Sequence, residues 1–217
     1  MLTAKLATMS YDKQHMIQAG AEHYEVNSKQ FYIMKIKDVT HIIIRGTEFN
    51  DIKDIWTNIQ IKFKKTTNGK IHTGFEKAAL DIHKLIYKKI KNTKINKLVI
   101  SGHSLGGAIA LLLATKLKKY KPTVYTFGAP NICNKEFRNN HRDIITHNFK
   151  NCGDPIPRLI FWMSTIGDEY YLEHNGTITK NPVFFKFRHW FHFSLKLDHP
   201  SRTYYNAIQK TRKNHGS

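Results

Sequence analysis

Ser104 lies in Gly102-His103-Ser104-Leu105-Gly106, a G-x-S-x-G pattern whose chemistry is that of an activated serine nucleophile. A serine hydroxyl attacks poorly until a base takes its proton, and that base must be oriented by a third group. In folds with this elbow the chain order is serine, acid, histidine, which confines the search to residues beyond 104. Asp154, in Asn151-Cys-Gly-Asp154-Pro-Ile-Pro-Arg158, follows a predicted strand and so stands at a strand end of the kind where open α/β sheets keep their sites. An aspartate before proline is also common in ordinary turns. Asp143 precedes that strand and Asp168 lies in sequence read as irregular, so both rank below Asp154. Among His141, His147, His174, His189, His192, His199 and His215, the best-placed base is His199, in Asp198-His199-Pro200 just ahead of a predicted helix. From such a loop an imidazole reaches over the sheet edge. His174, in the polar Glu173-His-Asn-Gly176 turn, ranks second, while His189 and His192 sit among aromatics and read as packing or surface groups.

Acyl transfer also needs donors aimed at the carbonyl oxygen as it gains charge, each worth about 10²–10³ in rate. The backbone N–H of Leu105, at the start of the helix after the serine, is one candidate. The other comes from the loop after an earlier strand, Ile42-Ile-Ile-Arg45-Gly46-Thr47, where Thr47 offers an N–H and a hydroxyl. By itself Arg-Gly-Thr reads equally well as a plain strand exit. No Cys/His cluster has metal-ligand spacing and no glycine loop is built to cradle phosphate, so neither a metal nor an organic cofactor is implied.

These groups need a scaffold to carry them. Leu98–Ile100 is a short apolar, β-branched run entering the elbow, and an Ala/Leu-rich helical run leaves it, with a strand predicted at 97–101 and a helix at 105–119. The tight turn requires glycine on both sides of the serine. Residues 3–19 read as a helix with Leu2, Leu6, Met9, Met16 and Ile17 toward the core, and Phe31–Ile36 alternates as a half-buried strand. Val39–Arg45, Thr123–Phe127 and Ile144–Phe149 read as further strands. Thr73–Lys91 carries Phe75, Ala79, Ile82, Ile86 and Ile90 close to helical spacing, and another helix is expected near 201–212. Strands alternating with helices predict an α/β fold around a largely parallel sheet.

At 217 residues the chain reads as one domain, 1–217, able to bury about 70% of its unfolded surface. Thirty-five Lys+Arg against 16 Asp+Glu give a formal charge of +19, a field suited to polyanions or anionic lipid surfaces, or simply a solvated lysine-rich exterior. No segment has the apolar length of a membrane span, and the first nine residues lack the long apolar core of a secretory signal. The expectation is a soluble, intracellular protein that binds interfaces peripherally; a mature form with its signal removed would read the same way. Cys133 and Cys152 could form one bridge, but two cysteines make no disulfide framework.

The motifs, in this order, resemble the class 3 lipases, the α/β-hydrolase family typified by fungal triacylglycerol lipases. The resemblance runs through Ile43-Ile-Arg-Gly-Thr47, Ile71-His-Thr-Gly-Phe75, Ile100-Ser-Gly-His-Ser-Leu-Gly-Gly-Ala108, Tyr125-Thr-Phe-Gly-Ala-Pro130 with Phe137, Asp154-Pro-Ile-Pro-Arg158, and His199 with Tyr204. It implies a Ser104–His199–Asp154 triad, an oxyanion hole at Thr47 and Leu105, and a lid in the segment after Arg-Gly-Thr, here 48–60. Ile52, Ile55, Trp56 and Ile59 give that segment one apolar face at helical spacing, which an ordinary core-facing helix would also have. The chain departs from the family at Ile55-Trp56 and Asn58, where Asp-Trp followed by Asp is frequent, and at Ile44, where an aromatic before arginine is usual.

The expected activity is hydrolysis of lipid carboxylic esters, of triacylglycerol or phospholipid A1 type, at a membrane or droplet interface. The basic field leans toward anionic membranes, and no specific nucleic acid partner is expected. Phe184–Phe193, which interleaves aromatics with Lys and Arg, suits an interface as well as it suits a buried element. The rival readings are a non-catalytic basic protein binding membrane or nucleic acid on a hydrolase scaffold, and an acyltransferase using the same triad.

Overall fold

A computed structural model of the chain describes residues 1–47, 62–173, 175–181 and 199–215. The lid candidate 48–60, His174, and the aromatic–basic stretch with His189 and His192 lie outside the described residues.

An eight-stranded sheet runs in the order β1 (Glu22–Val26), β2 (Lys29–Ile36), β3 (Val39–Ile44), β6 (Lys97–His103), β7 (Thr123–Phe127), β8 (Ile145–Asn151), β9 (Asp168–Leu172), β10 (Ile178–Lys180). From β3 to β9 neighbouring strands are parallel; β1–β2, β2–β3 and β9–β10 pair antiparallel. A separate hairpin joins β4 (Phe63–Thr66) and β5 (Gly69–His72). This is the expected α/β architecture with a mostly parallel centre.

The period of two along each strand decides which side chains meet which layer. In β3, Ile42 and Ile44 face a core shared with α3 (Thr73–Ile90) and α4 (Leu105–Lys116), while Ile43 turns to the other face and joins Leu6, Met16 and Tyr32. α3 presents Phe75, Ala79, Ile82, Ile86 and Ile90 as one buried stripe. α4 is apolar all round and buried from Leu105 through Ala114, as such a helix must be. On the opposite face, Ala4 and Ala7 of α1 (Leu2–Met9) pack with Phe127, Leu172 and Tyr204 of α6 (Ser201–His215), while the short α5 (Lys135–Asn140) links β7 to β8. Among the described residues no helix is long and apolar enough to cross a membrane.

The helix expected over 3–19 is two helices, α1 and α2 (Lys13–Gln18). Asp12 caps α2 by accepting from the N–H of His15 at 2.9 Å, and Ser10 closes α1 through a bond to the Ala7 carbonyl. Leu2 and Ile17 are exposed rather than in the core. The nucleophile strand runs on to His103, and α4 stops at Lys116 before a 3-10 turn at Lys118–Tyr120. The strand expected at Ile144–Phe149 is shifted to Ile145–Asn151, and Asp168 opens strand β9 instead of lying in irregular chain. Cys133 and Cys152 are both buried and form no disulfide, and burial pushes the Cys133 thiol up to about 12.

Candidate active site

The parallel register aligns the carboxyl ends of β6, β7 and β8, and the three sequence-predicted groups sit there. Between β6 and α4, Ser104 takes φ 54° and ψ −126°, a sparsely populated conformation costing roughly 1–3 kcal/mol. The surroundings hold it in place: the Ser104 N–H donates to the Phe127 carbonyl at 2.8 Å, and the Ser104 carbonyl accepts from Gly107 and Ala108. Close packing explains the flanking glycines. A Cβ on Gly102 would lie 2.4 Å from the Gly106 backbone, and one on Gly106 would lie 2.4 Å from the Ile44 carbonyl oxygen.

His199 bridges the other two groups. Its Nδ1 is 2.7 Å from Asp154 Oδ2 and its Nε2 is 2.9 Å from Ser104 Oγ. A carboxylate only accepts, so Nδ1 carries the hydrogen and the Nε2 of the neutral ring is left to accept from the serine hydroxyl. All three residues are buried. Asp154 is fully engaged: Oδ1 accepts from the Ile156 N–H at 2.9 Å, and Oδ2 also accepts the Tyr204 hydroxyl at 2.5 Å. Tyr204 in turn accepts from the Asn151 N–H at 2.9 Å, tying α6 to the end of β8. The acid is therefore oriented and hydrogen-bonded at both oxygens.

His103, inside the elbow, makes contacts at the site that sequence reasoning missed. Its Nε2 donates to the His199 carbonyl at 2.7 Å, so its Nδ1 accepts from the Tyr11 hydroxyl, also at 2.7 Å. Burial, helped by the nearby His199, pushes its pKa well below the usual imidazole value, so the ring stays neutral. Tyr11 sits in the break between α1 and α2, lies under the Arg45 guanidinium, and contacts the β3 exit loop. The one available signal was the tyrosine between Ser10 and the capping Asp12, and a continuous helix over 3–19 hid it.

The β3 exit presses on the elbow: a Cβ on Gly46 would lie 2.5 Å from the His103 carbonyl oxygen. This puts the Arg45-Gly46-Thr47 turn beside the start of α4, where Leu105, as first helical residue, has an N–H without an intrahelical acceptor. Of the lower-ranked acids, Asp143 pairs with Lys118 at 2.9 Å and Asp168 with Lys180 at 2.8 Å, both away from Ser104. Among the described residues no group of three or more His, Cys, Asp or Glu could hold a metal ion.

Residues 41–164 match the family model described as Lipase (class 3). The chain is 34% identical over 100 residues to Toxin TseL of Vibrio cholerae, covering 44% of this chain and 16% of that protein. It is 32% identical over 122 residues to Secreted mono- and diacylglycerol lipase 1 of Fusarium solani, covering 51% of this chain and 36% of that protein. The chain thus spans about a sixth and a third of these curated relatives. Among solved structures, the native Rhizomucor miehei lipase propeptide complex superposes with a TM-score of 0.68 at 20% identity, over 82% of this chain and 68% of that one.

Proposed function

The chain belongs to the class 3 lipase family, and from that premise we propose that it is a serine hydrolase cleaving carboxylic esters of lipids. One observation carries this reading: Ser104 Oγ, the His199 ring and Asp154 Oδ2 form a continuous hydrogen-bonded line at the carboxyl end of the parallel sheet. Ser104 Oγ attacks the ester carbonyl carbon while its proton passes to His199 Nε2, and Asp154 stabilises the imidazolium. The carbonyl electrons move onto oxygen, which accepts from the Leu105 N–H and from Thr47. Collapse expels the alcohol, protonated by His199, and leaves an acyl-Ser104 ester. Water, losing a proton to the same nitrogen, attacks that ester and releases the fatty acid.

A mono- and diacylglycerol lipase among the relatives favours a glycerolipid ester as substrate. The net charge of +19 favours an anionic interface over a neutral droplet. No cofactor enters the scheme. Fluorophosphonate labelling followed by intact mass tests it, with wild type compared with Ser104→Ala in buffer and with detergent micelles. A one-to-one adduct on wild type alone is expected. No adduct on folded wild type in either condition would overturn the hydrolase and leave the binding-protein alternative.

A further inference from the structure

We infer that the segment after Asp154 is a preformed anchor for an anionic lipid bilayer, with Phe161 and Trp162 entering the interface and lysines of the β4–β5 hairpin meeting the headgroups. The inference deepens the hydrolase reading by naming the surface that presents the substrate.

Residues 159–163 divide sharply by burial. Leu159, Phe161 and Trp162 are exposed at 41%, 57% and 56%, whereas Ile160 and Met163 are buried. No other four-residue stretch among the described residues exposes three large apolar side chains, so this is a patch and not scatter. The Phe161 and Trp162 rings meet edge to face at 5.0 Å and present area to water that a bilayer would cover.

The segment is held from beneath. The Ile160 carbonyl accepts from Asn131 Nδ2 at 3.1 Å and from the Met163 N–H at 3.0 Å, and the Ser164 N–H donates to the Cys133 carbonyl. Asn131 is braced by the buried Lys150, whose ammonium is 3.2 Å from Asn131 Oδ1 and 3.0 Å from Glu169. The aromatics are therefore displayed from a fixed turn, and little ordering remains to be done on contact. The chain leading into that turn starts at the acid of the site, whose Oδ1 accepts from the Ile156 N–H at 2.9 Å.

Charge stands beside the patch. Cys133 is bridged antiparallel to both Ile71 and Ser164, so the hairpin and the anchor belong to one ribbon. Residues 62–72 contain no acidic residue, and Lys62, Lys65 and Lys70 are exposed, while Lys64 is paired with Glu76 at 2.5 Å. Apolar rings flanked by uncompensated lysines suit an apolar layer beneath anionic headgroups, and the position at the rim of the candidate site selects a lipid surface over nucleic acid.

The test is vesicle co-sedimentation in a Ser104→Ala background, which prevents lipid consumption, using phosphatidylcholine vesicles with and without phosphatidylglycerol. The Phe161→Ser/Trp162→Ser pair should weaken binding to mixed vesicles by about tenfold or more. Lys65→Glu/Lys70→Glu should weaken the phosphatidylglycerol-dependent part and make binding less salt-sensitive. Ile145→Ser, an exposed position at the start of β8, should change nothing. In the Ser104 background, the aromatic pair should hydrolyse a water-soluble short-chain ester as wild type does, which also reports folding. Unchanged vesicle binding by the aromatic pair overturns the anchor, as does wild-type binding to RNA but not to vesicles. Anchored binding without any ester turnover or adduct leaves the anchor standing and removes the hydrolase reading instead.

Discussion

His103 Nε2 donates to the backbone carbonyl of His199 across 2.7 Å, so the residue before the proposed nucleophile holds the main chain of the proposed base. The loop carrying His199 is thereby registered against the elbow independently of the bond between their side chains. Replacing His103 with Asn shortens the reach and breaks this bond. A positioning role predicts a kcat lower by about 10–100-fold, or roughly 1.4–2.7 kcal/mol, with KM for a soluble ester little changed. A purely structural role would lower the active fraction and leave the kcat of titrated sites intact, so active-site titration with the fluorophosphonate separates the two.

Tyr204→Phe removes one of the donors to Asp154 and leaves the Asn151 N–H without the hydroxyl that accepts it. Losing a buried hydrogen bond of this kind costs about 1 kcal/mol. At this chain length each kcal/mol lowers Tm by roughly 2–4 °C, which differential scanning calorimetry would resolve.

Gly106→Ala should abolish labelling of Ser104, because its Cβ would collide with the Ile44 and Arg45 backbone, which cannot swing away as a side chain can. The matched control is Gly20→Ala. Gly20 has φ +85° but no atom within 4 Å of a built Cβ, so only backbone strain of about 1 kcal/mol is expected and labelling should persist. Fluorophosphonate adduct yield on folded protein checks both.

Acid should destabilise the fold through its buried imidazoles. Burial pushes His41, His72 and His103 below the ordinary imidazole range, His103 farthest. In the unfolded chain each titrates near 6.5. As pH falls below about 6.5 the unfolded state takes up protons that the folded state refuses, so stability declines by up to about 1.4 kcal/mol per pH unit for each imidazole that stays neutral. Above that pH their contribution is constant. Denaturant unfolding between about pH 7 and pH 5 should show this slope, and His103→Asn should reduce it by close to one proton.

Much of the site was legible because its constraints are local. The elbow announces itself through glycines that contact cannot replace, and Asp154 and His199 through their places after a strand and before a helix. α3 and β7 were readable from clear periodicity; β7 falls on the expected residues, and α3 ends one residue before the expected Lys91. The edge strands β1 and β10, β9 beside the latter, and the β4–β5 hairpin escaped notice because strands this short, interrupted by charged residues, carry little apolar pattern. Tyr11 and His103 were missed for a different reason. Their partners lie 92 and 96 residues away, and no local pattern records a bond between a helix break, an elbow and a distant loop. Tyr204 was singled out by resemblance, but only its distance to Asp154 gives it a task.

α4 is buried along nearly its whole length, and that burial governs when the site comes apart. Backbone amides from Ile109 to Ala114 lie in the densest part of the core and should exchange with solvent deuterium only when the whole domain opens. Ser104 is mounted on the end of that helix, so it belongs to the last unit to open. His199 arrives ahead of α6, which rests on the smaller cluster with α1. Serine and histidine thus ride on pieces of different endurance, and mild heating should silence turnover by withdrawing the histidine while the elbow beneath it is still native.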